Sequence, residues 1–329
     1  MQIQWFPGHM HKARLQIKEA LPHVDLFIEV LDARIPYSSE NPMLAELRGD
    51  KPVLKVLAKS DLADPVRTKE WLQYLDRLPG VAARSITTKD PGRIRKISEV
   101  CRAMFPDNQG KSKSITTMIV GIPNVGKSTL VNILAGRTVA KTANEPATTK
   151  GQQRINIDDG ITLLDTPGVL WPNVENPNSG FRLATVGSVK NTAMDYGDVA
   201  FFAAGFLLKE YPDGIKDRYE LKILPAEPTE FLETIGHKRG CLGKSGVVDF
   251  ERISRIFLTE LRAGMLGQIT LESPAVMEKE KADLVVYLAD IESKKQAKKE
   301  NRKAKFKARN FGPPSGAPTG SEPTPKNRR

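Results

Sequence analysis

"GIPNVGKS", Gly121 to Ser128, is the stretch on which the reading of this sequence turns. It fits the pattern G-x-x-x-x-G-K-[ST], between an apolar run, "ITTMIVG", and a helix-forming segment, "KSTLVNILAG". The glycines let the backbone curl so that its N–H groups face inward, and the helix N-terminus adds partial positive charge. Such a loop cradles phosphates. Lys127 would reach the terminal phosphates and the Ser128 hydroxyl would hold Mg²⁺. Asn124, Val125, Gly126 and Thr129 complete the lining expected of the loop.

Two further stretches fit the same chemistry. "LLDTPG" (Leu163–Gly168) is a buried-strand pattern that delivers Asp165 to the Mg²⁺ side, with Gly168 placed to give its N–H to a γ-phosphate. Between the two motifs, the polar "NEPATTKGQQ" (144–153) should carry the threonine that closes on Mg²⁺, Thr149 in preference to Thr148. Upstream lies "VLAKSDLAD" (Val56–Asp64). The Asp61 carboxylate can accept from guanine N1–H and the exocyclic amino group, a donor pair adenine lacks. Lys59 would lay its stem on the purine face, Ser60 lies between them, and Ser85 and Ile86 in "RSIT" would close the other side. Ser60 or Asp61 could instead simply cap a helix. The company of two phosphate motifs favours the base-reading assignment.

The remaining pattern alternates apolar strands ("DLFIEVLDAR", "KPVLKVLA", "VAARSIT", "ITTMIVG") with helical segments, which implies an α/β fold with a mostly parallel sheet covered on both faces. "QQRINID" and "ITLLD" should pair through Asp159-Gly160. "GRIRKISEVCRAMF" reads as one helix, and 106–114 as a linker. After Trp171 the pattern becomes helical. The expected division is 1–175, 176–291 and a basic, largely unfolded tail at 292–329.

In chain order these motifs run base reader, second base loop, phosphate loop, switch threonine, DTPG, the usual GTPase order cut and rejoined. The chain thus resembles a circularly permuted GTPase. It is most similar to the YlqF/RbgA family of ribosome-biogenesis GTPases, through "WFPGHMHKA" (5–13), "DLFIEVLDARIPYSSENPML" (25–44), "PATTKGQQ", "LLDTPGVLWP" and "LRAGMLGQITLE" (261–272). The resemblance implies GTP and GDP as ligands, Mg²⁺ as cofactor, and the large (50S) ribosomal subunit precursor, 23S rRNA and ribosomal proteins, as partner. It offers His9 as the group that orients water, since Val169 stands where related enzymes have Gln, and Asn124 as a K⁺ ligand. Two departures stand out: Ala58 replaces the family's Asn, and Ala147 its Gly.

Net charge is +11, and Lys and Arg outnumber Asp and Glu by ten from Ser293 onward. A segment so basic and so poor in apolar residues favours a polyanion. His237, Lys238, Arg239, Lys244, Arg252, Arg255 and Arg262 are the candidate RNA contacts of the helical region. The longest apolar run, Val199–Leu208, is far short of the ~20 residues of a membrane span. The N-terminus lacks the pattern of a secretion signal, and two distant cysteines suit reduced thiols rather than a zinc site. The expectation is a monomeric cytosolic GTPase, slow without its ribosomal partner. A nucleotide-gated RNA scaffold and a P-loop ATPase are the competing classes.

Overall fold

In the computed structural model of the protein, residues 6–105, 114–140, 153–158, 160–172 and 174–311 are described. Six strands form one sheet: β1 (Leu26–Asp32), β2 (Val53–Ala58), β3 (Val81–Ser85), β4 (Ile115–Gly121), β5 (Gln153–Asp158) and β6 (Ile161–Asp165), in the order β3-β2-β1-β4-β6-β5. All neighbours are parallel except β5 and β6, which form the expected antiparallel pair. β1, β2 and β4 read as apolar runs because both of their faces are covered. Leu31, Leu57 and Ala83 pack on one side with Trp71 and Leu75, while Val30, Val56 and Ile119 belong to the larger core on the other.

The flanking helices are α1 (Gly8–Ala20), α2 (Pro42–Arg48), α3 (Pro65–Leu75), α4 (Pro91–Arg95), α5 (Ile97–Ala103) and α6 (Lys127–Ala135). The segment that reads as one helix from Gly92 breaks at Lys96 into α4 and α5. Asp90 caps the first of these through the Arg93 N–H, and Ile94 and Ile97 are each buried. Helix α2 is an addition to the expected elements, although Asn41 capping the Met43 N–H and Pro42 at the first helical position mark its start.

The C-terminal region is helical: α7 (Pro177–Thr185), α8 (Tyr196–Glu210), α9 (Pro212–Tyr219), α10 (Pro228–Lys238), α11 (Phe250–Arg262) and α12 (Pro274–Phe311). Up to Glu278 the chain is one compact unit. A buried polar cluster ties the helices to the sheet. Glu272, fully buried, accepts from the Ser38 N–H (2.8 Å) and hydroxyl (2.5 Å) and pairs with Arg182 at 3.2 Å. Removing one partner of such a buried pair typically costs about 3–5 kcal/mol.

The second unit begins at Lys279, within α12. The sequence pattern implies an unfolded arm from 292, but the helix continues to Phe311. Ala, Lys, Gln, Glu and Arg dominate this stretch, all strong helix formers, and Lys294 pairs with Asp290 one turn earlier. From Lys279 to Phe306 nearly every residue of this helix is exposed.

Candidate functional site

Parallel strands end at one edge of the sheet, and three of those ends carry the site. β2 delivers Ala58 and the loop Lys59–Asp61, β4 delivers Gly121 and the loop to Lys127, and β6 delivers Asp165. β1 lies between β2 and β4, so its last residue, Asp32, sits beneath both loops.

The two loops meet. The Lys59 ammonium donates to the Asn124 carbonyl at 2.7 Å and to Asp32 Oδ2 at 3.0 Å. Lys59 and Asn124 both have φ of +57°, a left-handed conformation that non-glycine residues seldom adopt. Asp32 is fully buried, and although burial opposes ionisation, Arg34 and Lys59 hold its carboxyl well below the usual carboxylate range. Arg34 grips it through Nε (2.9 Å) and Nη2 (2.8 Å). Asp32 and Arg34 are additions to the expected site residues; the signal for them is a charged pair at the exit of an otherwise apolar strand.

On the base side, Ser60 donates its hydroxyl (2.9 Å) and its N–H (3.1 Å) to the Ile86 carbonyl. The Ile86 N–H in turn donates to Leu57, which brings Ser85 and Ile86 beside the Lys59–Asp61 loop. The Asp61 carboxylate pairs with Lys89 at 3.1 Å. Partial burial would raise its pKa, but the Thr87 hydroxyl and Lys89 outweigh that and hold Asp61 ionised below the normal range. An ionised carboxylate is what two N–H donors of guanine require.

On the phosphate side, Gly121 (φ +148°) has no room for a side chain because the Val30 carbonyl lies where Cβ would be. Lys127 opens α6 and bends back over the loop, donating to the Gly121 (3.0 Å) and Ile122 (2.7 Å) carbonyls. Burial lowers its pKa to about 8, so this ammonium is poised for an anionic partner. Val125 is buried, while Ser128 and Thr129 are half-buried in the first turn of α6. Both carboxylate oxygens of Asp165 are sealed from solvent without a hydrogen-bond partner among the described residues. Burial pushes its pKa up, with the Lys127 charge and, more weakly, the Thr166 N–H opposing. A buried carboxylate so short of donors, within reach of the Lys127 charge that opens α6, fits a divalent cation.

Gly168 packs on the phosphate loop. A Cβ there would lie 2.8 Å from Pro123 Cα and 3.1 Å from Lys127 Nζ. The next residue, Val169, is buried, donates its N–H to Gly121 (3.2 Å) and accepts from Asn41 Nδ2 at 2.9 Å. The Asn124 side chain donates to the Gly187 carbonyl beyond α7 at 2.9 Å. Ala58 Cβ lies 3.9 Å from where a Cβ on Gly126 would stand, so a methyl group, not an amide, faces the phosphate loop here. His9 stands in the first turn of α1, but its side chain lies outside the described residues, as do Ala147, Thr148 and Thr149.

The basic residues of the helical region divide into two groups. His237, Lys238, Arg239, Lys244, Arg252 and Arg255 are exposed. Lys238 reaches the carbonyls of Tyr219 and Glu220, Arg239 pairs with Glu260 at 2.7 Å, and Arg255 lies over the Tyr196 ring and pairs with Glu251. Arg262 departs from the expectation of an exposed RNA contact. Its guanidinium donates to the carbonyls of Thr185 (2.9 Å) and Ala184 (2.7 Å), satisfying the end of α7.

Base-reading and phosphate-reading loops that meet above β1, at the same edge of the sheet, define a P-loop GTPase, and their order along the chain makes it a circularly permuted one. Known proteins agree. Residues 116–196 match a family described as 50S ribosome-binding GTPase. Ribosome biogenesis GTPase A of Bacillus cereus is 43% identical over 83% of this chain and 95% of its own, and that of Priestia megaterium is 42% identical over 84% and 99%. The solved GNP-bound YlqF from T. maritima superposes with a TM-score of 0.57 at 28% identity, covering 80% of this chain and 98% of its own. This chain belongs to the ribosome biogenesis GTPase A family, also called RbgA/YlqF.

Proposed function

We propose that this GTPase binds the precursor of the large ribosomal subunit, assists its late assembly, and cleaves GTP as it departs. The observation that carries this reading is the Lys59–Asn124 junction, which aligns the base loop and the phosphate loop in a chain so similar to ribosome biogenesis GTPase A. Asp61 selects guanine, with Lys59, Ser60, Ser85 and Ile86 around the base. Gly126, Lys127, Ser128 and Thr129 hold the phosphates, and Gly168 senses the γ-phosphate.

Ser128, Asp165 and Thr149 would hold Mg²⁺, which when bound neutralises charge on the β- and γ-phosphates. Asn124 would add K⁺. Val169 cannot orient water, so intrinsic cleavage is slow and His9 supplies the missing polar group once the particle orders the site. The exposed His237, Lys244, Arg252 and Arg255 position rRNA through its phosphates, and the basic part of α12 adds phosphate contacts of its own. No helix among the described residues is long and apolar enough to cross a membrane. The reading places a monomer in the cytosol, with 23S rRNA and ribosomal proteins as the surface it meets.

GTP turnover measured with and without large-subunit precursor particles tests the reading. Strong stimulation is expected. Equal rates in the two reactions would favour an RNA scaffold with incidental hydrolysis.

A further inference from the structure

The base-reading loop is held from an unexpected direction. The segment after α11, residues 264–271, runs alongside residues 61–64 and takes up their backbone groups one after another. Gln268 Nε2 donates to the Asp61 carbonyl at 3.2 Å, and the Ile269 N–H donates to the Leu62 carbonyl at 3.0 Å. The Asp64 N–H donates to the Thr270 hydroxyl at 3.1 Å. Thr270 is fully buried, and the Tyr211 hydroxyl bridges its backbone to Asp64 Oδ2, 3.0 Å away. The fit is close: a Cβ on Gly264 would lie 2.8 Å from the Leu62 side chain. Leu271 continues the seam by donating to the Arg34 carbonyl at 2.8 Å.

Toward the phosphate loop the contacts are sparser than along this seam. Ala58 offers a methyl group toward Gly126, and Lys59 donates across to the Asn124 carbonyl of the phosphate loop. The backbone that carries Asp61 is therefore held in part by residues more than two hundred positions downstream, while its carboxylate meets Lys89.

We propose that Gln268 and Thr270 are positioning residues for guanine recognition, fixing Asp61 so that the end of α11 governs how long and how selectively guanine nucleotide stays bound. The proposal rests on Asp61 being the guanine-reading carboxylate. It gives the helical region a route to the nucleotide at the base, separate from any route through the γ-phosphate. A partner that pulls on α11 would loosen the purine first and so promote nucleotide release.

The test measures GDP dissociation and the preference for GDP over IDP, which lacks the exocyclic amino group, in full-length Gln268→Ala, Thr270→Val and Thr270→Ser. Misplacing Asp61 weakens its hold on that amino group, a readout that general loosening of the fold would not move. Loss of one hydrogen bond predicts about fivefold faster GDP release and a GDP-over-IDP ratio reduced by about the same factor in the first two variants. Thr270→Ser, which keeps the hydroxyl, should restore both. Gln268 is exposed, so its variant carries the test if Thr270→Val fails to fold. Wild-type release and wild-type discrimination in Gln268→Ala and in any folded Thr270→Val would overturn the proposal. Asp61→Asn separates the two ideas: a shift toward xanthosine nucleotides supports the base assignment, and an unchanged GTP preference removes the assignment itself.

Discussion

Lys59 and Asn124, 65 positions apart, meet in a 2.7 Å hydrogen bond, and both hold left-handed backbone to do so. Backbone in that region is costly for residues with side chains and persists where surrounding interactions over-determine it. Asp32 is the residue that over-determines it here, anchoring the Lys59 ammonium from below. Lys59→Met keeps the stem that would lie on the purine but removes the ammonium. GDP affinity should fall about tenfold, as expected when a charge-assisted hydrogen bond is removed. Arg34 still neutralises Asp32, so the unfolding midpoint should stay near wild type. Titration with a fluorescent GDP analogue and a thermal melt check both.

Gly168→Ala should act on cleavage far more than on binding. The added methyl would overlap Pro123, whose Cα and N lie 2.8 and 2.9 Å from that position. Backbone has to shift, carrying with it the N–H proposed to meet the γ-phosphate. Misplacement of about 1 Å costs on the order of a hundredfold in rate. Single-turnover GTP cleavage reads the loss, with GDP affinity within a few-fold of wild type as the control. Cleavage at the wild-type rate would remove Gly168 from the mechanism.

Much of this architecture is legible in the sequence because its signals are local. An apolar run such as Leu26–Leu31 announces a strand covered on both faces, and Gly121–Ser128 carries its own geometry. What escapes depends on partners far away along the chain. Nothing near Glu272 says that it will be buried against Ser38 and Arg182. Arg262, a cation at the end of an amphipathic helix, reads as solvent-facing, yet α7 supplies two carbonyls for it. Helix α9, with Ile215 and Tyr219 as its buried residues, has too little apolar face to be seen.

Acid should uncover the role of Glu260. It accepts from Arg218, Tyr219 and Arg239 at 2.7–2.8 Å, linking α9, α10 and α11. Burial alone would raise its pKa, but these donors more than compensate and leave it below the ordinary 4.5. A carboxyl depressed in the folded state contributes stability above its unfolded pKa and loses it as pH falls through the folded value. Glu260→Gln should thus cost about 2 kcal/mol at pH 7. That difference should shrink below about pH 4.5 as wild type loses its charge. Urea melts of both proteins at a series of pH values give the comparison, and a difference constant with pH would contradict the assignment.

Removal of residues 294–329 should weaken binding to ribosomal RNA and flatten its dependence on salt. The slope of log affinity against log salt falls by about 0.7–0.9 for every phosphate no longer neutralised. Filter binding across a range of KCl concentrations measures it. An unaltered slope would make the basic part of α12 a bystander.

The strand order has a consequence for how the protein is made. Translation delivers β1, β2 and β3 first, and the flank of β1 that will take β4 stays open until Gly121 has emerged. A GTPase of ordinary motif order can gather its phosphates early; this one completes the purine end while Lys127 and Asp165 are still to come. The newborn half-sheet must therefore survive without help from its own ligand. Nucleotide can rescue only the finished chain, so substitutions along β1 and β2 should reveal themselves as losses during synthesis more than as losses in the mature enzyme.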